Sequence, residues 1–142
     1  MSKNNNKKAM DCLSKIFQAE MAGIVRYLHY SFMIMGHNRI PIQKWFRDQA
    51  QESTAHTIAV GELITAYGGH PPITSAKMEE SNKHGVDQIL KESLHFEEET
   101  LALYVELVKV AGDDIALEEF ARGQVLAETN HIFEVKKMLI KA

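Results

Sequence analysis

Two residues three apart near the C-terminal end, Glu128 and His131, carry the strongest chemical signal in the chain. On a helix, three steps of about 100° place them on one face, roughly 60° from each other. Leu117, Phe120, Ala121, Val125, Ile132, Val135 and Leu139 mark the apolar face there, with Glu128 near its middle and His131 on its flank. A carboxylate aimed at a core is costly unless something pairs with it, and a metal ion is one such partner. Glu20 repeats the pattern, with Phe17 three before it, Ile24 four after, and Leu13 and Tyr27 seven to either side. In the acid run Glu97-Glu98-Glu99 only Glu97 lands on an apolar stripe, three after Leu94 and four before Leu101. Glu98 borders that stripe and Glu99 points away. His56 lies near the middle of a face made by Ile42, Trp45, Phe46, Val60, Leu63, Ile64 and Tyr67. Glu52 and Ser53 sit to either side of it, each roughly 40–60° off centre.

Glu20, His56, Glu97, Glu128 and His131 are therefore an inward polar set drawn from four segments. Carboxylates suit hard, higher-valent iron or manganese, and imidazole suits Fe(II). Two divalent cations in an apolar core need several anionic oxygens, and a shared carboxylate lets both sit close. A bundle builds such a centre from one Glu on each of two helices and a Glu-x-x-His step on each of the other two. Each residue also has a plainer alternative. A single inward His is often a hydrogen-bonded core residue, and Glu97 alone could be the least exposed member of a solvated acid run. Glu20 is harder to dismiss, because its neighbours on both turns are apolar. Tyr27 is a candidate phenol beside the ligands, or ordinary core packing.

The segments that must position these residues read as four helices. The first is expected from about Lys8 to Met35, with Leu13, Ile16, Phe17, Ile24, Tyr27, Leu28, Ser31 and Met35 on its apolar face. Residues 1–7 read as a flexible, Lys- and Asn-rich leader. Gly36 breaks the chain, Pro41 suits the first turn of a second helix over Ile40 to Tyr67, and Gly68 ends it. A connection from Gly69 to Gly85, with Pro71-Pro72 near its start, is long enough to cross back to the starting end. The third helix is expected over Val86 to Val110, and an Asp of Gly112-Asp113-Asp114 caps the fourth. The fold expected is all-α, a single four-helix bundle over residues 8–142 with a long crossover between the second and third helices.

Composition closes off other classes. At 142 residues and a net charge of −3, the chain has mixed charges and no basic stripe, which argues against nucleic acid. The single cysteine, Cys12, forms no intramolecular disulfide and completes no Cys-based zinc or iron–sulfur motif. No apolar run reaches membrane-spanning length and no signal-peptide core is visible, so no membrane is expected and a cytoplasmic setting is the default. The methionines Met10, Met21, Met33, Met35, Met78 and Met138 read as core or interface filler.

The chain resembles the ferritin-like superfamily, and bacterioferritin most. The resemblance rests on Leu13-Ser14-Lys15-Ile16-Phe17-Gln18-Ala19-Glu20-Met21-Ala22-Gly23-Ile24-Val25-Arg26-Tyr27, on the spacing from Glu20 to His56, and on Ala127-Glu128-Thr129-Asn130-His131. It implies that Glu20 and His56 hold one iron, Glu97 and His131 the other, and that Glu128 bridges them. Three departures stand out. Ser53 replaces the Glu expected three before the second-helix His, and Glu52 beside it reaches the site only by a shifted helix or rotamer. Thr54 stands where the family's haem-binding Met would, so haem is not expected. The chain ends soon after the fourth helix, where the family's short pore-lining helix would begin, so both a homodimer and a 24-subunit shell stay open.

The function expected is that of a ferroxidase-type oxidoreductase: Fe(II) binds at a di-iron centre, dioxygen or peroxide oxidises it, and iron is stored or detoxified. Two alternatives remain. One is a rubrerythrin-like peroxide reductase fed with electrons by a partner; the other is a degenerate, non-catalytic bundle subunit marked by Ser53.

Overall fold

The structure is a computed structural model that describes residues 3–141. Four helices account for its regular elements: α1 (Lys3–Met33), α2 (Arg39–Ala66), α3 (Val86–Val110) and α4 (Ile115–Leu139). The chain is an all-α four-helix bundle with a long connection between α2 and α3. Helix α1 begins five residues before the expected Lys8, so residues 3–7 of the expected leader are helical. Nothing between Lys3 and Lys8 breaks a helix already nucleated by the apolar periodicity that follows.

Several helix ends have a local cause. After α1, Gly36 takes the left-handed backbone (φ 101°), and the Arg39 guanidinium donates to the free carbonyls of Phe32 and Ile34 at 3.3 and 2.5 Å. Helix α2 closes on Gly68 (φ 83°). There the Gly68 N–H donates to Thr65 O at 3.0 Å and the Gly69 N–H to Ile64 O at 2.8 Å, the paired bonds of a Schellman end. The Gln88 side chain accepts from the Gly85 N–H at the start of α3. Asp114 caps α4 by accepting from the Leu117 N–H at 3.0 Å, and takes the Tyr67 hydroxyl at 2.6 Å, tying the α4 start to the α2 end.

Contacts between helices give their directions. Glu20 meets His56 and Ser31 meets Arg47, so α1 and α2 are antiparallel. Cys12 donates to the Leu103 carbonyl, Tyr27 to Glu97 and Tyr30 to Glu92, so α1 and α3 are antiparallel too. It follows that α2 and α3 run parallel, which is why the connection between them must travel the length of the bundle.

The core divides into two apolar halves. One gathers Leu13, Ile16, Val60, Ile64, Tyr104, Leu107, Leu117 and Ala121. The other gathers Tyr30, Ile34, Phe46, Ile89, Leu90 and Val135. On every helix the stretch between these halves carries the inward polar residues: Glu20 on α1, Ser53 on α2, Glu97 on α3 and Glu128 on α4, all buried. Two expected face residues of α1, Leu28 and Met35, are exposed, while Tyr30 and Ile34 are buried in their place. The helix repeat of 3.6 residues carries a straight three-and-four count off the face over a helix this long. Met35 also lies beyond the last helical residue.

Candidate metal centre

Glu20, Glu97 and Glu128 are 4%, 2% and 5% exposed, so three carboxylates from three helices are withdrawn from water together. α2 adds His56, whose Nδ1 lies 2.7 Å from Glu20 Oε2. His131 follows Glu128 by one helical step and stands edge-on to Trp45 of α2, ring centroids 6.4 Å apart. Two groups of ligand atoms result, Glu20–His56–Glu128 and Glu97–Glu128–His131, each with its atoms within 4.8 Å of one another. Glu128 belongs to both. Two ligands at the usual metal–oxygen or metal–nitrogen distance of about 2.0–2.2 Å lie at most about 4.4 Å apart, so a cation needs only sub-ångström closure of either group.

All five inward residues named from the sequence are thus brought to one layer. Glu52 is half-exposed, yet its Oε2 reaches 2.8 Å from His131 Nε2 across the α2–α4 seam. It does so by the length of its side chain at the rim, not by a turned helix, since Ser53 remains inside at 6% exposure. A Cβ at Gly23 would stand 3.1 Å from Ser53 Oγ, so α1 passes close over this point. Tyr27 donates its hydroxyl to Glu97 Oε1 at 2.9 Å, which makes it a partner of a candidate ligand.

The proton balance of the layer follows from its burial. Burial first, then the charges of Glu20, Glu97 and Glu52, push the Glu128 carboxyl up to about 9. Burial is also the main cause that raises Glu97, to about 7, against the Tyr27 hydrogen bond and with the charges of Glu20 and Glu52. The Glu20 carboxyl rises by burial despite the opposing pull of His56. Burial works to lower His56, but the Glu20 hydrogen bond and charge, with Glu52 behind, outweigh it and the net shift is upward. His131 is lowered, by burial first, with Glu52 opposing and His56 assisting, which favours the neutral imidazole that a metal needs. Carboxyls held protonated against their ordinary tendency are groups waiting for a cation to take the proton's place.

One atom tests the fit to a metal directly. Glu97 Oε2 is buried with no hydrogen-bond partner, an arrangement that is costly in a dry core and removed by a bound cation. The residues fit a metal. Tyr104, which the spacing did not single out, has a hydroxyl likewise buried without a partner. Its pKa is raised by burial first and then by Glu20 and Glu128, which places it within the field of the acids. Its position on the apolar stripe of α3 hid it, because periodicity records burial and not what a hydroxyl faces.

A family model described as a ferritin-like domain matches residues 10–142. The chain belongs to the ferritin-like family. Solved ferritin-like structures superpose on nearly all of it. A ferritin-like di-iron-carboxylate protein from Bacillus anthracis str. Ames is 22% identical, covers 99% of this chain and 100% of its own, and has a TM-score of 0.91. A Dps protein from Bacillus brevis is 14% identical with a TM-score of 0.90, covering 99% of this chain and 100% of its own. The bacterioferritin of Rhodobacter capsulatus, whose structure has a metal-free dinuclear site and haem iron, is 18% identical with a TM-score of 0.82, covering 94% of this chain and 84% of its own. At these identities the likeness is one of fold. Among curated proteins, none matches the sequence. No helix among the described residues is long and apolar enough to cross a membrane.

Proposed function

We propose that this ferritin-like chain binds two iron ions inside its own bundle and oxidises Fe(II) with dioxygen or peroxide, for storage or detoxification of iron. The observation that carries the reading is Glu128, a buried carboxylate within ligand distance of two His- and Glu-containing groups at once. Fe(II) is the substrate here. Glu20 and His56 would hold one ion, Glu97 and His131 the second, and Glu128 would bridge. A pair of such ions supplies two electrons to one oxidant without releasing a one-electron radical.

The chain's own residues set the conditions for that chemistry. Three carboxylates in a dry layer favour the ferric state, because extra positive charge is what relieves their mutual repulsion. His56 gives up its proton when an ion takes its place beside Glu20, and Glu97 and Glu128 release theirs likewise. Tyr27 holds Glu97 Oε1 and so leaves Oε2 turned free for an ion. Ser53 supplies no second bridging carboxylate. Glu52 sits at the rim on His131, where it can guide a cation inward or steady the ring. All ligands come from one chain, which supports a centre of the bacterioferritin kind, complete in each subunit. Val25, Leu28 and Phe32 form an exposed stripe on α1, at spacings of three and four, and Ile58 is exposed on α2; we assign these to self-association as a homodimer or larger homo-oligomer.

The test is anaerobic addition of two equivalents of Fe(II) per chain, followed by oxygen, with absorbance recorded. A rapid ferric-oxo band is expected. Faster reaction with peroxide than with oxygen would redirect the reading to a peroxide reductase. A trace no different from a protein-free blank would leave only a structural bundle.

A further inference from the structure

The connection over residues 67–85 lies along α1. The Ala76 N–H donates to Gln18 O at 2.9 Å, and Gln18 Nε2 donates to Thr74 Oγ1 at 2.8 Å. Further on, Glu80 meets His29. From Gln18 to His29 is eleven residues of helix, roughly 16 Å of rise. From Thr74 to Glu80 is six residues, roughly 20 Å if fully extended. The connection is thus tied to α1 at two places, and its second anchor is not an ordinary ion pair.

At that anchor two imidazoles converge on one carboxylate. His84 Nε2 lies 3.1 Å from Glu80 Oε1, and His29 Nε2 lies against Glu80 Oε2. The His29 nitrogen is shielded from water, with Glu80 Oε2 as its neighbour, although its ring is half-open to solvent. The His29 and His84 rings stand 5.6 Å apart at 68°, edge to face, and each turns its Nε2 to one oxygen of the Glu80 carboxylate. Ligand atoms of His29, Glu80 and His84 all lie within 4.8 Å of one another. The carboxylate is also fixed from outside: the Asn82 N–H donates to Glu80 Oε1 at 2.8 Å, with Asn82 in the left-handed backbone (φ 58°) that turns its amide back. An exposed carboxylate gains little from ion pairs alone, yet this one is held from three sides and oriented by backbone.

We propose that His29, Glu80 and His84 form a binding site for a divalent transition-metal ion on the outside of the bundle, separate from the buried centre. Two imidazoles and one carboxylate are the donor set of zinc and its first-row neighbours, and not of calcium or magnesium, which prefer oxygen throughout. Three protein ligands leave a further position open to water. Because one ligand lies on α1 and two lie on the connection, a bound ion fastens the crossover to the bundle, with the Asn82 amide orienting the carboxylate as outer hydrogen bonds do at metal sites.

Zinc(II) is the probe, titrated calorimetrically into metal-free wild type, His84→Gln, His29→Gln and Glu128→Gln, with helicity checked by circular dichroism. The wild type is expected to show a class of one zinc per chain that His84→Gln and His29→Gln weaken by at least the ~10–100-fold that loss of an outer partner costs. Glu128→Gln keeps that class, which separates this site from the buried centre. A second reading uses trypsin, which cuts after the exposed Lys77 and Lys83. Zinc should slow both cuts in the wild type and leave them unchanged in His84→Gln. His84 lies in the connection, so its variant carries the test even if His29→Gln perturbs α1. Identical zinc isotherms in wild type and His84→Gln, or equal protection of both, would overturn the proposal and leave an ion cluster only.

Discussion

Glu128 makes the metal-free protein pay in stability for its readiness to bind. Its carboxyl is held protonated up to about pH 9 in the fold, against an ordinary value of 4.5. Between those values the unfolded chain binds fewer protons than the folded one, so rising pH favours unfolding. Glu97 adds the same trend between 4.5 and about 7. The melting temperature of the metal-free protein is therefore expected to fall from pH 5 to pH 9. Glu128→Gln, neutral throughout, should flatten that slope and melt higher than the wild type at pH 9, by several degrees at ~2–4 °C per kcal/mol. In iron titrations the same variant should hold at most one ion in the buried centre. Unchanged two-iron stoichiometry would count against the shared carboxylate. Glu52→Gln separates the rim from the interior: it should weaken the ion on the His131 side about tenfold and leave the Glu20–His56 side intact, read as two classes in an Fe(II) or Co(II) titration. Equal affinities in both classes would reduce Glu52 to a surface partner of His131.

At the scale of elements, Asp114 ties the start of α4 to the end of α2. Asp114 accepts from both the Leu117 N–H and the Tyr67 hydroxyl, and its pKa is lowered by those two bonds, the Tyr67 one first. Asp114→Ala removes the cap and strands the phenol, and should cost about 1–2 kcal/mol in chemical denaturation. Tyr67→Phe removes only one bond and should cost about 0.5–1.5 kcal/mol. The starts of α3 and α4 were readable because Gly85 and the Asp113-Asp114 pair are residues whose side chains or backbone freedom act locally. The start of α1 was not, because Asn and Lys neither start nor stop a helix strongly, and propagation from the apolar turns decided it. The slip at Leu28 and Met35 has a similar origin: a 31-residue helix leaves more room for phase drift than a short one.

For the molecule as a whole, the up-down-down-up order puts the crossover on the surface and the exposed stripe of Val25, Leu28 and Phe32 on α1. Light scattering of the wild type should give a dimer or larger. Phe32→Asp should shift it toward monomer without loss of helicity, and a monomeric wild type would remove the assigned interface. The buried layer lies between two apolar halves, so loading with metal should raise the melting temperature of the entire bundle cooperatively, since ligands on all four helices are joined through it.

The sequence by itself determined the number of helices, most of their apolar faces and the five polar residues turned inward, because helical periodicity is local and burial of charge is conspicuous in one dimension. Only the tertiary structure decided that Glu52 meets His131 at the rim while Ser53 stays inside, and that the Tyr104 hydroxyl is buried without a partner. It alone brought His29 to Glu80 and His84. Those outcomes depend on distances between helices and on the path of a connection, set by how whole faces pack, and no spacing along a single helix contains them.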